Sequence, residues 1–332
     1  MKFQRTALVV GMIALFGLGF SAGTQAQEKI TIKIGWVTPD SPRDPYATGA
    51  HTFKNAVERQ SNGRIKVELF PNRQLGDEKP MIEGLRFGTI DAAVITNAVV
   101  AQIEPAFQVN DLPFLFSNEA QAHRVLDGKV GQTLAKKLES KGIVALGFME
   151  GGFRQMINNV RPVNRPDDVK GVKYRVMQNP VYIGMFSSLG GSAVPMAWGE
   201  TFTAVQQGTI DGLEIPIAVI DSSKYNEVTK YLSLTNHTYS MIALLMSKKS
   251  FDKLPADLKL VVREAGKTAL GAQRTAAGAN AKELVGALEK KGMKVNSVSD
   301  IRPFRNAVKP VYEKFKGSIG ADVMNDVLAA VK

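Results

Sequence analysis

Residues 65–95 read IKVELFPNRQLGDEKPMIEGLRFGTIDAAVI, and the succession of patterns in them sets the fold class. Ile65, Val67 and Leu69 alternate with polar residues, the period of a half-buried strand. Met81, Ile82 and Leu85 return at helical spacing. Gly88 then stands where a helix ends on a left-handed residue. The run 90–95 reads as a buried strand. Strand, helix and strand in quick succession are the unit of an α/β domain with a largely parallel sheet.

The same pattern extends on both sides. Ile30, Ile32, Ile34 and Trp36 alternate as a strand. Tyr46, Ala50, Phe53, Ala56 and Val57 follow at helical spacing up to the breaker Asn62-Gly63. A helix through Val125, Leu126, Val130, Leu134 and Leu138 leads to a strand over 143–148. In the second half, a strand over 172–176 precedes a helix with Tyr182, Met185, Phe186 and Leu189, closed by Gly190-Gly191. A strand over 194–197, a helix over 201–207 and a strand near Ile210 complete it. The words Gly88-Thr89-Ile90-Asp91 and Gly208-Thr209-Ile210-Asp211 are identical. Each closes a helix and opens a strand, which points to related roles in two similar domains. Between Pro255 and Lys291 there is no proline, and Leu258, Val261, Val262, Ala265, Ala269, Leu284 and Leu288 keep helical spacing. One helix of about thirty-five residues would be roughly 50 Å long; the alternative is two helices broken near Gly271 or Gly278.

The chain has 332 residues, no cysteine and a formal net charge of +11. Lys2 and Arg5 precede an apolar run over 7–20, and small or polar residues follow. This is the layout of a secretory signal peptide spanning 1–26, with Thr24 and Ala26 before the cut. The run is about fourteen residues, short of the roughly twenty that span a bilayer, which argues against a membrane anchor. Removal of 1–26, with its two positive charges and no acid, leaves 306 residues and a charge of +9. That length suggests roughly two domains. An exported chain without disulfides and without a lipid-bearing cysteine fits a bacterial periplasm. Its lysines and arginines are mixed with acids, as in Lys136, Lys137, Glu139 and Lys141. With no basic run and no stacked aromatic pattern, nucleic acid is not an expected partner. The charge reads as a solvated surface with a mild attraction for anions.

Signs of catalysis are missing. His51, His123 and His237 are far apart and lack metal-ligand spacing. There is no GxSxG elbow and no Walker loop, and Gly17-Leu18-Gly19 lies in the signal peptide. No metal or cofactor is expected. Carboxylates are plentiful enough for a glycosidase-like pair, and an exported carboxylate-active enzyme is the alternative from another function class. Residues 152–180, GFRQMINNVRPVNRPDDVKGVKYRVMQNP, suggest binding instead. Arg154 and Arg175 each sit at the edge of a short apolar stretch, with a polar turn between. Converging on one cleft, they would clamp a carboxylate, since each guanidinium fork matches two carboxylate oxygens. The competing reading is that either arginine braces an acid such as Asp167 or Asp168.

Separated motifs carry a resemblance over the whole mature chain. They are Gln74-Leu75-Gly76-Asp77-Glu78, Glu83-Gly84-Leu85, Gly88-Thr89-Ile90-Asp91 and Asp111-Leu112-Pro113-Phe114-Leu115-Phe116. Arg154-Gln155, Pro166-Asp167-Asp168-Val169-Lys170-Gly171, Tyr174-Arg175-Val176, Pro195-Met196, Gln207 to Gly212 and Lys230-Tyr231 follow in order. In order and spacing the chain resembles the solute-binding proteins of tripartite ATP-independent periplasmic (TRAP) transporters, the DctP-type family.

The resemblance implies an α/β, two-lobed periplasmic binding protein fold with a cleft and a long helix spanning both lobes. The expected division is 27–151 with 241–280 as lobe one, and 152–240 with 281–332 as lobe two. It implies a monomeric receptor that delivers a small organic acid to a TRAP membrane permease and is not itself membrane-embedded. Arg175 would make the main salt bridge to the ligand carboxylate, and Arg154 matches a second ligand-contacting position. Polar contacts map onto Glu78, Thr96 and Gln178, and an aromatic wall onto Trp198. Val37 and Ile215 stand where the sialic-acid binders have asparagines, and Thr96 replaces an acid, so a smaller acid is favoured over sialic acid. The expected ligand is a sugar acid such as a uronate, with an aliphatic, dicarboxylic or aromatic hydroxy acid as the competitor. Two of these positions have plainer readings: Glu78 as a cap of the helix after Asp77, and Trp198 as core. Asn97, Asn236, His237 and Tyr239 are weaker candidates, the last three near the expected crossover between lobes.

Overall fold

The computed structural model describes residues 29–332; the expected signal peptide lies outside them. Nine strands form one mixed sheet: β1 (Ile30–Gly35), β2 (Ile65–Phe70), β3 (Ala92–Thr96), β4 (Ile143–Asn158), β5 (Lys173–Val176), β6 (Ser192–Pro195), β7 (Gly212–Pro216), β8 (Tyr231–Ser247) and β9 (Lys294–Ser297). Their order is β2-β1-β3-β8-β4-β7-β5-β6, with β9 also on β8. β1 lies parallel to β2 and β3, and β5 lies parallel to β6 and β7. Two parallel units of matching order therefore flank an antiparallel ribbon of β4 and β8.

The repeated four-residue word does the same job in each unit. Gly88 and Gly208 end their helices at φ +77° and +71°, a region open to glycine at little steric cost. The next two amides return to one carbonyl, Gly84 in the first unit and Ala204 in the second. Asp91 then accepts from the Lys33 amide of β1 at 3.1 Å, and Asp211 from the Lys173 amide of β5 at 2.7 Å. Each aspartate thus ties the strand it opens to its parallel neighbour.

The ribbon departs from the sequence expectation. The strand expected over 143–148 runs on to Asn158, so Arg154 lies inside a strand rather than at the edge of a short apolar stretch. Gly151-Gly152 does not stop it. Register shifts occur at Ala145/Gly147, Glu150/Gly152 and Arg154/Met156, and such bulges bend a strand without ending it. A side chain at Gly151 would meet the Ser240 carbonyl at 2.8 Å, so glycine lets the two strands stay paired through the bend. The boundaries expected at 151/152 and 240/241 fall inside β4 and β8.

The helix expected after Pro255 is continuous over Ala256–Lys290, 35 residues. Gly271 and Gly278 do not break it, and apart from the helix's own neighbouring backbone nothing lies within 4 Å of where their Cβ atoms would be. Its inner face packs on β4 and on helix Pro45–Gln60. At its middle, Gln273 donates to the Glu150 carbonyl at 2.6 Å and accepts from the Glu150 amide at 3.0 Å, fastening it beside the bend in β4. The sheet carries a core on each face: Ala92 and Val94 of β3 point into one, Ala93 and Ile95 into the other. Helix Ala321–Ala330 packs back on helix Lys129–Glu139.

Candidate functional site

The strand directions bring the site together. β3 pairs with β8 from Ala92↔Met246 to Thr96↔Ile242, running toward the middle of the ribbon. β7 pairs with β4 from Gly212↔Asn158 to Pro216↔Arg154, running toward the middle from the other end. The carboxyl ends of the two parallel units therefore face each other across the bend, the usual place for a ligand in parallel α/β sheets. One cavity there is lined by Val37, Thr38, Tyr46, Glu78, Thr96, Arg154, Arg175, Met177, Trp198, Ile215, Pro216 and Val219. Seven of the eight residues proposed from sequence share it; Gln178 does not. Its side chain is exposed and borders an adjoining cavity that also touches Glu78, Arg175 and Trp198.

The two arginines differ in what surrounds them. Arg154 is buried and mostly engaged: Nε and Nη2 donate to the Glu214 carboxylate, Nη2 also to the Glu214 carbonyl at 2.6 Å, and Nη1 to Ser240 Oγ at 3.2 Å, which leaves one Nη1 proton for the cavity. An acid does brace it, but that acid is Glu214; Asp167 pairs with Lys170 and Asp168 with Arg165. Burial alone would raise the Glu214 carboxyl. The charge of Arg154 and the hydrogen bond from His237 overcome this and hold it below its usual value. Burial pulls His237 down despite the pull of Glu214 in the other direction, which keeps the ring neutral. Its Nε2 then donates to Glu214 at 3.2 Å, and Nδ1 accepts from Thr235 Oγ1 at 2.8 Å.

Arg175 is 1% exposed and makes no ion pair among the described residues. Nε and Nη2 donate to the Met196 carbonyl at 3.0 and 2.7 Å, and Nη1 points at Met177 Sδ at 3.4 Å. Its guanidinium carbon lies 5.9 Å from the Trp198 ring centre. Burial pulls its titration below the usual arginine value, with the charge of Glu214 opposing. A buried cation held by one carbonyl and one thioether lacks the counter-charge that burial normally demands.

Glu78 opens helix Glu78–Phe87 but does not cap it; Oε1 accepts from the Thr96 amide at 2.7 Å and from Thr96 Oγ1 at 2.6 Å. Burial raises its carboxyl, with the Thr96 hydrogen bonds and the Arg175 charge opposing. Trp198 opens helix Trp198–Gln206, half-buried, and is both wall and core, since Tyr225 lies 5.5 Å from it on centroids. The weaker candidates line no part of this cavity. Asn97 donates to the Phe107 carbonyl, Asn236 pairs with Gln155, Tyr239 sits among Phe116, Phe153 and His123, and His237 acts through Glu214.

Sequence reasoning missed Thr38, Tyr46, Met177, Val219 and Glu214. Glu214 left a signal: a carboxylate inside the apolar strand Gly-Leu-Glu-Ile-Pro needs a buried cation. Tyr46 was legible only as a helix core position. Asp44, beside it, accepts from Thr38 Oγ1, from the Tyr46 and Ala47 amides, and from Ser222 Oγ at 2.7 Å. Burial still raises its carboxyl to about 6. The ionised form is thus penalised by folding. The stability this group contributes is full below pH 3.8, the ordinary value for an aspartate, and is lost as pH rises through about 6. A shift of this size is worth about 3 kcal/mol. Asp44→Asn is expected to remove that slope. Urea melts of both proteins should show the variant gaining on the wild type between acid and neutral pH; parallel profiles would mean Asp44 titrates normally.

A model of the bacterial extracellular solute-binding proteins, family 7, matches residues 37–318. The solved TRAP periplasmic solute-binding protein of Polaromonas sp. JS666, bound to D-erythronate, is 38% identical, with a TM-score of 0.88 over 91% of this chain and 99% of that one. The sugar acid binding protein of Advenella mimigardefordensis DPN7T, in complex with galactonate, is 36% identical, with a TM-score of 0.89 over 92% and 98%. Among curated sequences, the 2,3-diketo-L-gulonate-binding periplasmic protein of Escherichia coli K12 is 33% identical over 95% of this chain and 96% of its own. No helix among the described residues is long and apolar enough to cross a membrane.

Proposed function

The chain belongs to the bacterial extracellular solute-binding proteins of family 7, the receptors of TRAP transporters, and from that premise we propose that it captures a sugar acid such as a uronate or an aldonate and hands it to a TRAP permease. Family members are periplasmic substrate-binding receptors, not enzymes. The observation that carries the reading is Arg175, a buried guanidinium with no acidic partner among the described residues, at the meeting point of two parallel units. A ligand carboxylate supplies the missing charge. Arg154, its orientation set by Glu214, forms the second side of the clamp, and Trp198 covers Arg175. Glu78, Thr96 and, at the mouth, Gln178 answer hydroxyls. The similar proteins of known structure, bound to erythronate and galactonate, support this ligand class.

A short aliphatic hydroxy acid is the second reading, favoured by the apolar lining of Val37, Met177, Ile215 and Val219. A dicarboxylate fits less well, because Glu78 would repel the second carboxylate. We take the lobes to be 27–151 with 241–280 and 152–240 with 281–332, hinged at the bulges of β4, with helix Ala321–Ala330 of the second reaching back onto the first, and the mature receptor to be a monomer exported by residues 1–26. A thermal-shift screen of organic acids tests the reading. A true ligand at 100 times its dissociation constant adds about 2.7 kcal/mol to stability and is recovered unchanged. A panel of sugar and hydroxy acids that leaves the melting temperature unmoved would refute it.

A further inference from the structure

Three hydroxyl groups line the cavity, those of Thr38, Tyr46 and Thr96, and the proton of each is already committed. Thr38 Oγ1 donates to Asp44 Oδ1 at 2.6 Å. Thr96 Oγ1 donates to Glu78 Oε1 at 2.6 Å. Oε1 is already the acceptor of the Thr96 amide, so it accepts here too, and the single Thr96 proton belongs to Glu78. The 2.6 Å contact between Tyr46 Oη and Thr96 Oγ1 is therefore a donation by Tyr46. All three oxygens are left with lone pairs and no proton to give. Glu78 Oε2 adds a further acceptor, since both Thr96 donors are spent on Oε1. The side-chain donors of the cavity are the guanidinium groups of Arg154 and Arg175 and the Trp198 indole beside Arg175.

We propose that this polarity makes the receptor selective for hydroxy acids over keto acids. The ligand gives its carboxylate to Arg175 and its hydroxyl protons to the acceptors of Thr38, Tyr46 and Glu78. The proposal rests on the receptor reading above and narrows its ligand class. A hydroxyl beside the carboxylate finds an acceptor waiting. A ketone oxygen at the same place brings lone pairs against lone pairs and returns no hydrogen bond for the water it displaces. Sites built to bond a substrate hydroxyl reject analogues without it far more strongly than apolar pockets reject a missing methylene.

Matched pairs test it: gluconate against 2-ketogluconate, and lactate against pyruvate, titrated calorimetrically into the mature chain at mildly alkaline pH, above the value of about 6 that burial gives Asp44. The hydroxy member of any pair that binds should bind at least about ten-fold more tightly, the factor given by one net hydrogen bond. Glu78→Gln places amide protons where Oε2 stands and should narrow the ratio by improving the keto acid. Tyr46→Phe should weaken the hydroxy acid and leave its keto partner unchanged. Equal affinities in the wild type, or a ratio that neither variant moves while both stay folded, would overturn the selectivity and leave the receptor reading standing. Failure of the wild type to bind any organic acid would overturn both.

Discussion

Arg175→Ala is expected to weaken ligand binding by about 2–5 kcal/mol, the range for removing one partner of a buried, hydrogen-bonded charge pair. The fold should survive, because among the described residues this guanidinium is held by the Met196 carbonyl, the Met177 sulfur and the Trp198 ring, with no ion pair. Losing a buried, uncompensated cation removes a desolvation cost, so the melting temperature of the ligand-free variant should hold or rise. Arg175→Lys should also bind poorly, since an ammonium cannot present two parallel N–H groups to a carboxylate. Titration calorimetry with the best acid from the screen measures both. Wild-type affinity in the alanine variant would show that Arg175 is not the anchor.

Glu214→Ala is expected to act on stability first. Glu214 neutralises Arg154 inside the protein, and neither side chain reaches solvent appreciably, at 0% and 3% exposure. Removing one member of a buried ion pair costs about 3–5 kcal/mol, because the other charge stays behind unpaired. His237 would lose its acceptor as well. The double variant Arg154→Met/Glu214→Leu should recover much of the loss, since an apolar pair of similar volume carries no such penalty. Urea unfolding followed by circular dichroism gives the comparison; a midpoint in Glu214→Ala within experimental error of the wild type would contradict this account of the pair.

The contrast between these two arginines explains how far the sequence could be read. Both stood out as cations beside apolar residues, and their chemistry alone suggested carboxylate capture. Which one is free to perform it depends on Glu214, 60 residues from Arg154 in the chain. No local pattern connects the two. The acids nearest in sequence, Asp167 and Asp168, turn out to serve Lys170 and Arg165 on the surface.

Local patterns determined most of the elements. Period-two and helical spacing located the strands and most helices of both units, because side-chain burial repeats along each element; the one helix expected through Val125 to Leu138 is two, Glu119–Asp127 and Lys129–Glu139, parted at Gly128. The twin Gly-Thr-Ile-Asp words marked their kinship, and the glycines do take the left-handed turns that end the helices. The absence of cysteine and of metal-ligand spacing pointed away from those chemistries. Tertiary structure alone decided the rest. It carried β4 through Gly151-Gly152, where pairing with β8 outweighs the local breaker, and kept the helix Ala256–Lys290 whole despite its glycines, since packing on β4 and on helix Pro45–Gln60 holds it. It also joined Tyr46, Thr96 and Glu78 into one chain of hydrogen bonds, from three segments that meet only where two units run toward the same bend. Propensity and periodicity act over a turn or a strand; the pairing of buried charges and the direction of a shared proton depend on contacts between segments far apart in the chain, and only the folded arrangement fixes those.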